Sequence, residues 1–187
     1  VSDDKSDILN QLSIEKGAYV LATVHRDSNT DIHANMESIF KAFYDISEKH
    51  NQKIVLPLHP RTKGKMDTHL SVELKSKIDN SDKIMIIPPA GFLDIIALEK
   101  NASMLITDSG GLQKEAFFFE KPCVILRPQT EWVEIVDNGN ALIADADYDK
   151  ILAAYNTLSL KSDYSYPNFY GDGAAADFIC GKIVELI

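Results

Sequence analysis

The chain has 187 residues, of which 45% are hydrophobic and 25% charged, and this length and composition suit one globular domain over residues 1–187. Its net charge of −9 argues against general nucleic-acid binding, which requires a basic face. Its apolar runs are much shorter than the roughly 20 residues that cross a bilayer, so no membrane partner is expected.

Short apolar runs alternate with amphipathic stretches along the chain. The predicted order is strand 18–24, helix 31–50, strand 53–58, helix 70–78, strand 83–87, helix 92–100, strand 104–107, helix 112–119, strands 123–126 and 141–144, and helices 148–158 and 174–187. Asp31 is a candidate cap or first-turn residue of the first long helix. This alternation predicts an α/β fold, with a mostly parallel sheet and helices on both faces.

The two cysteines, Cys123 and Cys180, lie in unlike surroundings. Cys123 belongs to an apolar run and is predicted to be a core residue, whereas Cys180 belongs to the last helix. Neither takes part in a metal-ligand or redox spacing, and the first residues do not resemble a signal peptide. We therefore expect a cytoplasmic protein without a metal site.

Ligands of open α/β sheets bind outside the carboxyl ends of the strands, so the residues that follow each strand are the candidates for function. The first strand is followed by His25 and Arg26, and the second by His59 and Arg61. These side chains can donate hydrogen bonds to phosphate oxygens. A structural role for His25 is an equally good interpretation.

The segment TDSGGLQKEA, residues 107–116, predicts a strand, a tight turn and a helix. Gly110 and Gly111 let the backbone approach a ligand where free amides bind anions, and Ser109 can cap the helix and donate to a phosphate. Glu115 is placed to accept hydrogen bonds from two ribose hydroxyls. The open alternative is an ordinary Ser-capped helix, with Glu115 favoured by the helix dipole.

The loop after the fifth strand carries Arg127 and Glu131, which can contact a sugar or a phosphate. Trp132 in the same loop fits a packing role. The sequence contains no GxGxxG and no Walker loop, which argues against NAD and ATP sites. No cofactor is expected.

Four segments carry a family resemblance: THRDSN from residue 23, LHPR from residue 58, TDSGGLQKEA from residue 107 and LRPQTEWVE from residue 126. In order and spacing they resemble the C-terminal domain of the non-hydrolysing UDP-N-acetylglucosamine 2-epimerases. The resemblance extends from about residue 17 to the final helix. It implies a glycosyltransferase-B-type (GT-B) architecture, in which two Rossmann-like domains enclose the active site and this chain is the second.

The resemblance also implies roles for the matching residues. His25 lies near the diphosphate and is the candidate catalytic residue, and Glu115 holds the ribose. The other substrate-binding candidates are Arg26, Asn29, His59, Phe92, Ser109, Gly110, Gly111, Gln113, Arg127, Thr130 and Glu131. Residues 109–111 cradle the phosphates and the 127–131 loop faces the sugar nucleotide. Arg26 and His59 match positions of a second, regulatory UDP-sugar in bacterial members.

The chain departs from the family at two places. Residues 130–133 read TEWV, where the common family loop is Thr-Glu-Arg-Pro. Ile95 stands where the family carries a Phe that is expected to lie against the base, and Phe92 is the candidate substitute. These features resemble the subgroup that acts on UDP-diacetamido-uronic acids.

The family inverts C2 of a UDP-N-acetylhexosamine by eliminating and re-adding UDP, with catalytic carboxylates in its N-terminal domain. We therefore expect a half-enzyme of bacterial surface-polysaccharide synthesis that binds UDP weakly and is inactive alone. Its expected partners are the UDP-sugar, its own N-terminal domain and a second copy in a homodimer. Two alternatives stay open, a glycosyltransferase of the same fold and a non-catalytic module that binds sugar nucleotides.

Overall fold

The computed structural model describes residues 6–186. Its strands are β1 (Tyr19–Thr23), β2 (Lys53–Pro57), β3 (Ile84–Ile87), β4 (Met104–Thr107), β5 (Cys123–Ile125) and β6 (Ala141–Ile143). They form one parallel sheet in the order β3-β2-β1-β4-β5-β6. This is the strand order of a Rossmann-like fold, so the predicted α/β class and all six predicted strands are confirmed.

The helices include four that the sequence pattern does not predict. They are α1 (Ile8–Gln11), α2 (Asp27–Thr30), α3 (His33–Lys49), α4 (Pro60–His69), α5 (Val72–Asp79), α6 (Phe92–Asn101), α7 (Gly110–Phe118), α8 (Val133–Asp137), α9 (Tyr148–Leu160) and α10 (Ala175–Glu185). The six predicted helices are confirmed, and α1, α2, α4 and α8 are additional. Ile187, the predicted end of the last helix, and residues 1–5 of the predicted domain lie outside the described residues.

Each strand contributes to two separate cores, because successive side chains of a strand point to opposite faces of the sheet. In β1, Val20 and Ala22 face the core formed with α3 and α9, whereas Leu21 faces the core formed with α6 and α7. Cys123 is buried in this second core, as predicted. Because helices cover both faces, the strands are nearly continuous apolar runs.

The first long helix begins later than predicted. Ile32 precedes α3 without a side-chain cap, so the predicted capping role of Asp31 is wrong. Asp31 instead accepts two hydrogen bonds from the Arg61 guanidinium, at 3.0 and 2.9 Å. The carboxylate therefore ties the start of α3 to the start of α4.

The chain that follows α9 crosses from one face of the sheet to the other. Tyr164 packs against the core of α3 and α9, whereas Tyr166 and Tyr170 pack against the core of α6 and α7. None of the α10 residues that follow is buried. Within residues 6–186, no helix combines the length and the apolar character that spanning a membrane requires.

Candidate functional site

A pocket of about 390 Å³ opens at the carboxyl ends of β1, β2 and β3. It is lined by Thr23, His25, Pro57, His59, Arg61, Thr62, Pro89, Ala90, Ile95 and Leu112. Its volume lies within the range of small-molecule sites, and its position is the edge at which open α/β sheets bind ligands. Of the predicted site residues, His25 and His59 line this pocket.

Asp108 joins the loop after β1 to the end of β4. Its buried carboxylate accepts hydrogen bonds from the backbone amides of His25 at 3.0 Å and Arg26 at 2.9 Å. It also accepts from the side-chain amide of Asn29 at 3.0 Å. The Asp108 carbonyl accepts from Arg26 Nε at 3.1 Å. The backbone that carries His25 is thereby held against the turn that leads into α7.

Asn29 lies beneath the site and supports it. Its side chain is 2% exposed, and its amide nitrogen donates to the Leu126 carbonyl at 2.9 Å as well as to Asp108. The amide thus connects the loops that follow β1, β4 and β5. Direct contact of Asn29 with a substrate stays a prediction.

The turn before α7 presents backbone amides close in sequence to Leu112, which lines the pocket. Ser109 caps the helix, and its Oγ accepts a hydrogen bond from the Leu112 amide at 3.4 Å. The Ser109 amide itself donates to Thr107 Oγ1 at 3.0 Å. Gly110 and Gly111 are the first helical residues, and amides at these positions have no acceptor within the helix. Such amides form a ready site for an anion.

Gly110 leaves little space for a side chain. A Cβ at this position would lie 3.3 Å from Glu131 Oε2 and 3.5 Å from Arg127 Nη1. Its carbonyl accepts a hydrogen bond from Trp132 Nε1 at 2.7 Å. The predicted packing role of Trp132 is therefore confirmed. Gly111, in contrast, is exposed to solvent.

Arg127 and Glu131 form a two-pronged ion pair beside this turn. The guanidinium donates to the two carboxylate oxygens at 2.7 and 2.5 Å. Arg127 is 7% exposed, whereas Glu131 is exposed. Hydrogen bonding to Arg127 lowers the pKa of Glu131 to about 2. A guanidinium that is fixed beside unpaired amides suits the binding of a phosphate or diphosphate.

Gln113 and Thr130 connect α7 to the loop after β5. Gln113 is buried, and its Oε1 accepts from Thr130 Oγ1 at 2.6 Å. Thr130 Oγ1 accepts in turn from the Trp132 amide at 3.1 Å. Within residues 6–186, Gln113 Nε2 has no hydrogen-bond partner. The predicted contacts of Gln113 and Thr130 with a substrate stay predictions.

His59 and Arg61 lie together at the pocket, as their spacing predicts. His59 caps α4, and its Nδ1 accepts a hydrogen bond from the Arg61 amide at 3.2 Å. An accepting Nδ1 leaves Nε2 as the donor of a neutral ring. The Arg61 guanidinium also pairs with Asp27 at 2.6 Å. The roles of Arg26 and His59 at a second UDP-sugar stay predictions.

One wall of the pocket is aliphatic at the position where the family that this sequence resembles carries a Phe. Ile95 lines the pocket at this position. Phe92 is the first residue of α6, and its side chain is 75% exposed. Stacking of Phe92 on a base stays a prediction.

Glu115 lies one turn along α7 from Leu112, and its side chain is half-buried. It faces Glu99 of α6, which is 1% exposed. Burial, and secondly the charge of Glu115, raise the pKa of Glu99 to about 8. The sequence pattern does not identify Glu99, because a glutamate in an amphipathic helix usually indicates a solvent-exposed face.

The structure brings most of the predicted residues to one edge of the sheet. Those that follow the ends of β1, β2, β4 and β5 are His25, Arg26, His59, Ser109, Gly110, Gly111, Arg127, Thr130 and Glu131. Asp108, which holds these loops together, is not among the predicted residues. An acidic residue directly after the buried strand sequence MLIT is the signal that identifies it.

Comparison with known proteins agrees with this geometry. A family model described as UDP-N-acetylglucosamine 2-epimerase matches residues 1–184. A UDP-N-acetylglucosamine 2-epimerase homolog of Methanococcus maripaludis is 42% identical over 180 residues, which cover 96% of this chain and 47% of the relative. The UDP-2,3-diacetamido-2,3-dideoxy-D-glucuronate 2-epimerase of Pseudomonas aeruginosa is 39% identical over 168 residues, which cover 90% and 45%.

Solved structures show the same likeness. The Methanocaldococcus jannaschii UDP-GlcNAc 2-epimerase in complex with UDP-GlcNAc and UDP matches 98% of this chain and 50% of that chain, with a TM-score of 0.82 and 29% identity. The chain therefore spans about half the length of the relatives that it matches. Because the family model covers nearly every residue, the resemblance predicted from the four segments is confirmed. The chain belongs to the UDP-N-acetylglucosamine 2-epimerase family.

Proposed function

We propose that this chain is the UDP-binding, C-terminal half of a UDP-sugar 2-epimerase of GT-B architecture. The observation that carries the proposal is the open N-terminus of α7, which begins with Gly110 and Gly111 and where Gly110 lies beside the Arg127 guanidinium. Family membership supports the nucleotide sugar as the ligand. A diphosphate matches this arrangement, because it presents several acceptor oxygens to a helix N-terminus and a guanidinium.

The two helices that border the pocket, α6 and α7, supply the proposed contacts with the ribose and the uracil of UDP. Glu115 accepts hydrogen bonds from the ribose hydroxyls, since it lies one turn beyond the phosphate-binding end of α7. The uracil packs against the wall that contains Ile95. His25, held by Asp108, donates to the diphosphate.

The proposed reaction inverts C2 of a UDP-N-acetylhexosamine or of its diacetamido uronic acid counterpart, because relatives of both kinds match the chain. A base removes the C2 proton while the bond between C1 and UDP breaks. UDP then adds back to C1 as a proton returns to the opposite face of C2. This half stabilises the charge of the departing UDP through His25 and Arg127, and the other half supplies the carboxylates that move the proton.

The proposed partner is an N-terminal half of the same protein. α10 carries the exposed apolar side chains Phe178, Ile179, Ile183 and Val184. An exposed apolar surface of this kind ordinarily marks an interaction site, and the relatives are about twice as long as this chain. We further propose a homodimer, a cytoplasmic location and a role in surface-polysaccharide synthesis.

Titration calorimetry of the chain with UDP and with uridine tests the ligand. We expect UDP to bind weakly and uridine more weakly still, because uridine lacks the diphosphate. Glu115→Gln lowers UDP affinity about tenfold or more, since it removes a charged acceptor. Glu48→Gln is the control, because Glu48 is exposed on α3. Equal affinity for UDP and uridine contradicts the proposal.

The reaction is tested in the two-domain protein in deuterated water. An epimerase incorporates deuterium at C2 of the UDP-sugar, whereas a glycosyltransferase transfers the sugar to an acceptor and leaves C2 unlabelled. Sugar transfer without deuterium at C2 overturns the epimerase assignment. UDP binding without either reaction supports the non-catalytic binding module.

A further inference from the structure

Glu99 is a buried acid for which the proposed reaction has no use. It lies on α6 with 1% exposure, and within residues 6–186 no donor group hydrogen-bonds to either of its carboxyl oxygens. An ionised carboxylate in such surroundings is strongly disfavoured. Glu99 is therefore a neutral acid with a proton to donate.

The acceptor for this proton is Glu115. α6 packs against α7, and the hydrogen bonding and the charge of Glu115 both act on the Glu99 carboxyl. Two neighbouring carboxyl groups share one proton more readily than both ionise. Glu99 is the more buried of the two, so burial favours the proton on Glu99.

Other titratable groups lie near α6. Glu15 and Lys16 border the same cavity as Ala97 and Asn101 of α6, and Asp94 and Lys100 belong to α6 itself. Burial raises the pKa of Tyr19, and its hydroxyl donates to the Leu98 carbonyl at 2.6 Å. The charge that shifts the pKa of Glu99 is that of Glu115.

The pair lies one turn beyond the pocket on both helices. Ile95 and Leu112 line the pocket. Glu99 follows Ile95 by four residues and Glu115 follows Leu112 by three, so each shares a helix face with a pocket residue. This is the position at which the ribose extends from a diphosphate bound at the start of α7.

We infer that Glu99 is a positioning residue, whose protonated carboxyl donates a hydrogen bond to Glu115 and holds its carboxylate toward the ribose hydroxyls. The inference rests on the proposed ribose contact of Glu115. It makes ribose recognition depend on pH. When Glu99 loses its proton, two adjacent negative charges repel each other and Glu115 leaves its position.

The test compares the affinity for UDP with the affinity for 2′,3′-dideoxy-UDP from about pH 7 to about pH 9.5. The ratio of the two affinities reports on the ribose contact alone, because ionisation of the diphosphate and the uracil affects both ligands alike. We expect the ratio of the unaltered chain to fall about tenfold over this range. Glu99→Gln keeps the ratio high at every pH, because its amide donates without a proton to lose. Glu99→Met keeps it low throughout.

The outcomes separate this inference from the proposed function. If the chain prefers UDP over the dideoxy ligand by the same factor at all pH values, the proposed function stands and the inference is wrong. A pH profile of Glu99→Gln that matches the unaltered chain also overturns it. Glu48→Gln is the matched control and follows the unaltered chain. Failure to prefer UDP over the dideoxy ligand at about pH 7 contradicts the ribose contact itself.

A second measurement needs no ligand. The pKa of Glu99 is raised by folding, so the stability contributed by its protonated carboxyl is fully present at acid pH and is lost as pH rises toward about 8. In urea unfolding, the unaltered chain should therefore lose stability relative to Glu99→Gln between about pH 5 and about pH 8. A difference in stability that stays constant over this range overturns the assignment of the proton to Glu99.

Discussion

Asp108 is the residue on which the loops of the candidate site depend. Its carboxylate accepts from the amides of His25 and Arg26 and from the side chain of Asn29. These partners lie 79 to 83 residues away in the chain. A single buried acceptor thus keeps the loop after β1 against the turn before α7.

Asp108→Ala should lower the free energy of unfolding by roughly 2–5 kcal/mol, because it leaves several donors without an acceptor. It should also weaken UDP binding, since the His25 backbone is released. Urea unfolding and calorimetry measure the two effects. Asp163→Ala is the control, because Asp163 is exposed, and it should change stability by less than about 0.5 kcal/mol. Equal stability of the two variants contradicts this role.

At the scale of elements, the N-terminus of α7 contains two glycines with different tasks. A side chain at Gly110 would press against the Arg127–Glu131 pair. At Gly111 the nearest atom to an added Cβ is Ser109 Oγ, at an ordinary distance of 3.7 Å. The first glycine therefore serves packing within the chain, and the second faces the proposed ligand.

Gly110→Ala should lower stability by about 1–3 kcal/mol, because the ion pair must move. Gly111→Ala should keep or raise stability, by up to about 1 kcal/mol, because alanine favours a helix. It should nevertheless lower UDP affinity about tenfold, since the new methyl group occupies the approach of the diphosphate. Thermal unfolding measures the stability of both variants, and calorimetry measures their affinity for UDP. A stability loss in Gly111→Ala together with an affinity loss only in Gly110→Ala would contradict this assignment.

The helix α4 shows why some elements escape sequence-based prediction. It has local signals, since His59 caps it and Pro60 occupies its first position. However, its buried residues are Thr62 and Met66, so it lacks the apolar stripe by which amphipathic helices are identified. α3, with seven buried residues along one face, is predicted from the same kind of pattern to within two residues at its start.

At the scale of the whole molecule, α10 is a long helix that the other described residues do not cover. None of its residues is buried, although Phe178 and Ile183 are apolar. The double variant Phe178→Ser with Ile183→Ser should therefore leave the stability of this chain within about 0.5 kcal/mol. It should weaken association with the proposed N-terminal half by about tenfold or more, because two apolar contacts are lost.

Calorimetric titration of the two halves measures this association. Lys182→Ser is the matched control on the same helix, since Lys182 is exposed and pairs with Glu185 at 2.6 Å. It should bind the N-terminal half nearly as well as the unaltered chain. Loss of chain stability in the double variant would instead show that α10 packs on this domain in solution.

The sequence by itself determined the features that depend on neighbouring residues. The alternation of apolar runs with amphipathic stretches predicts the strands and six helices, because local periodicity reflects which side of an element is buried. The turn at Ser109, Gly110 and Gly111 is equally local, and with three other segments it identifies the family. The same alternation predicts an open α/β sheet, and in such sheets the ligand site lies at the carboxyl ends of the strands.

The tertiary structure alone decided which side chains meet across the fold. It paired Asp31 with Arg61, buried Asp108 among donors from the chain that follows β1, and packed the helix of Glu99 against the helix of Glu115. Each of these contacts joins residues from separate elements, and its energy depends on burial that no local pattern reveals. The raised pKa of Glu99 therefore follows from burial between packed helices.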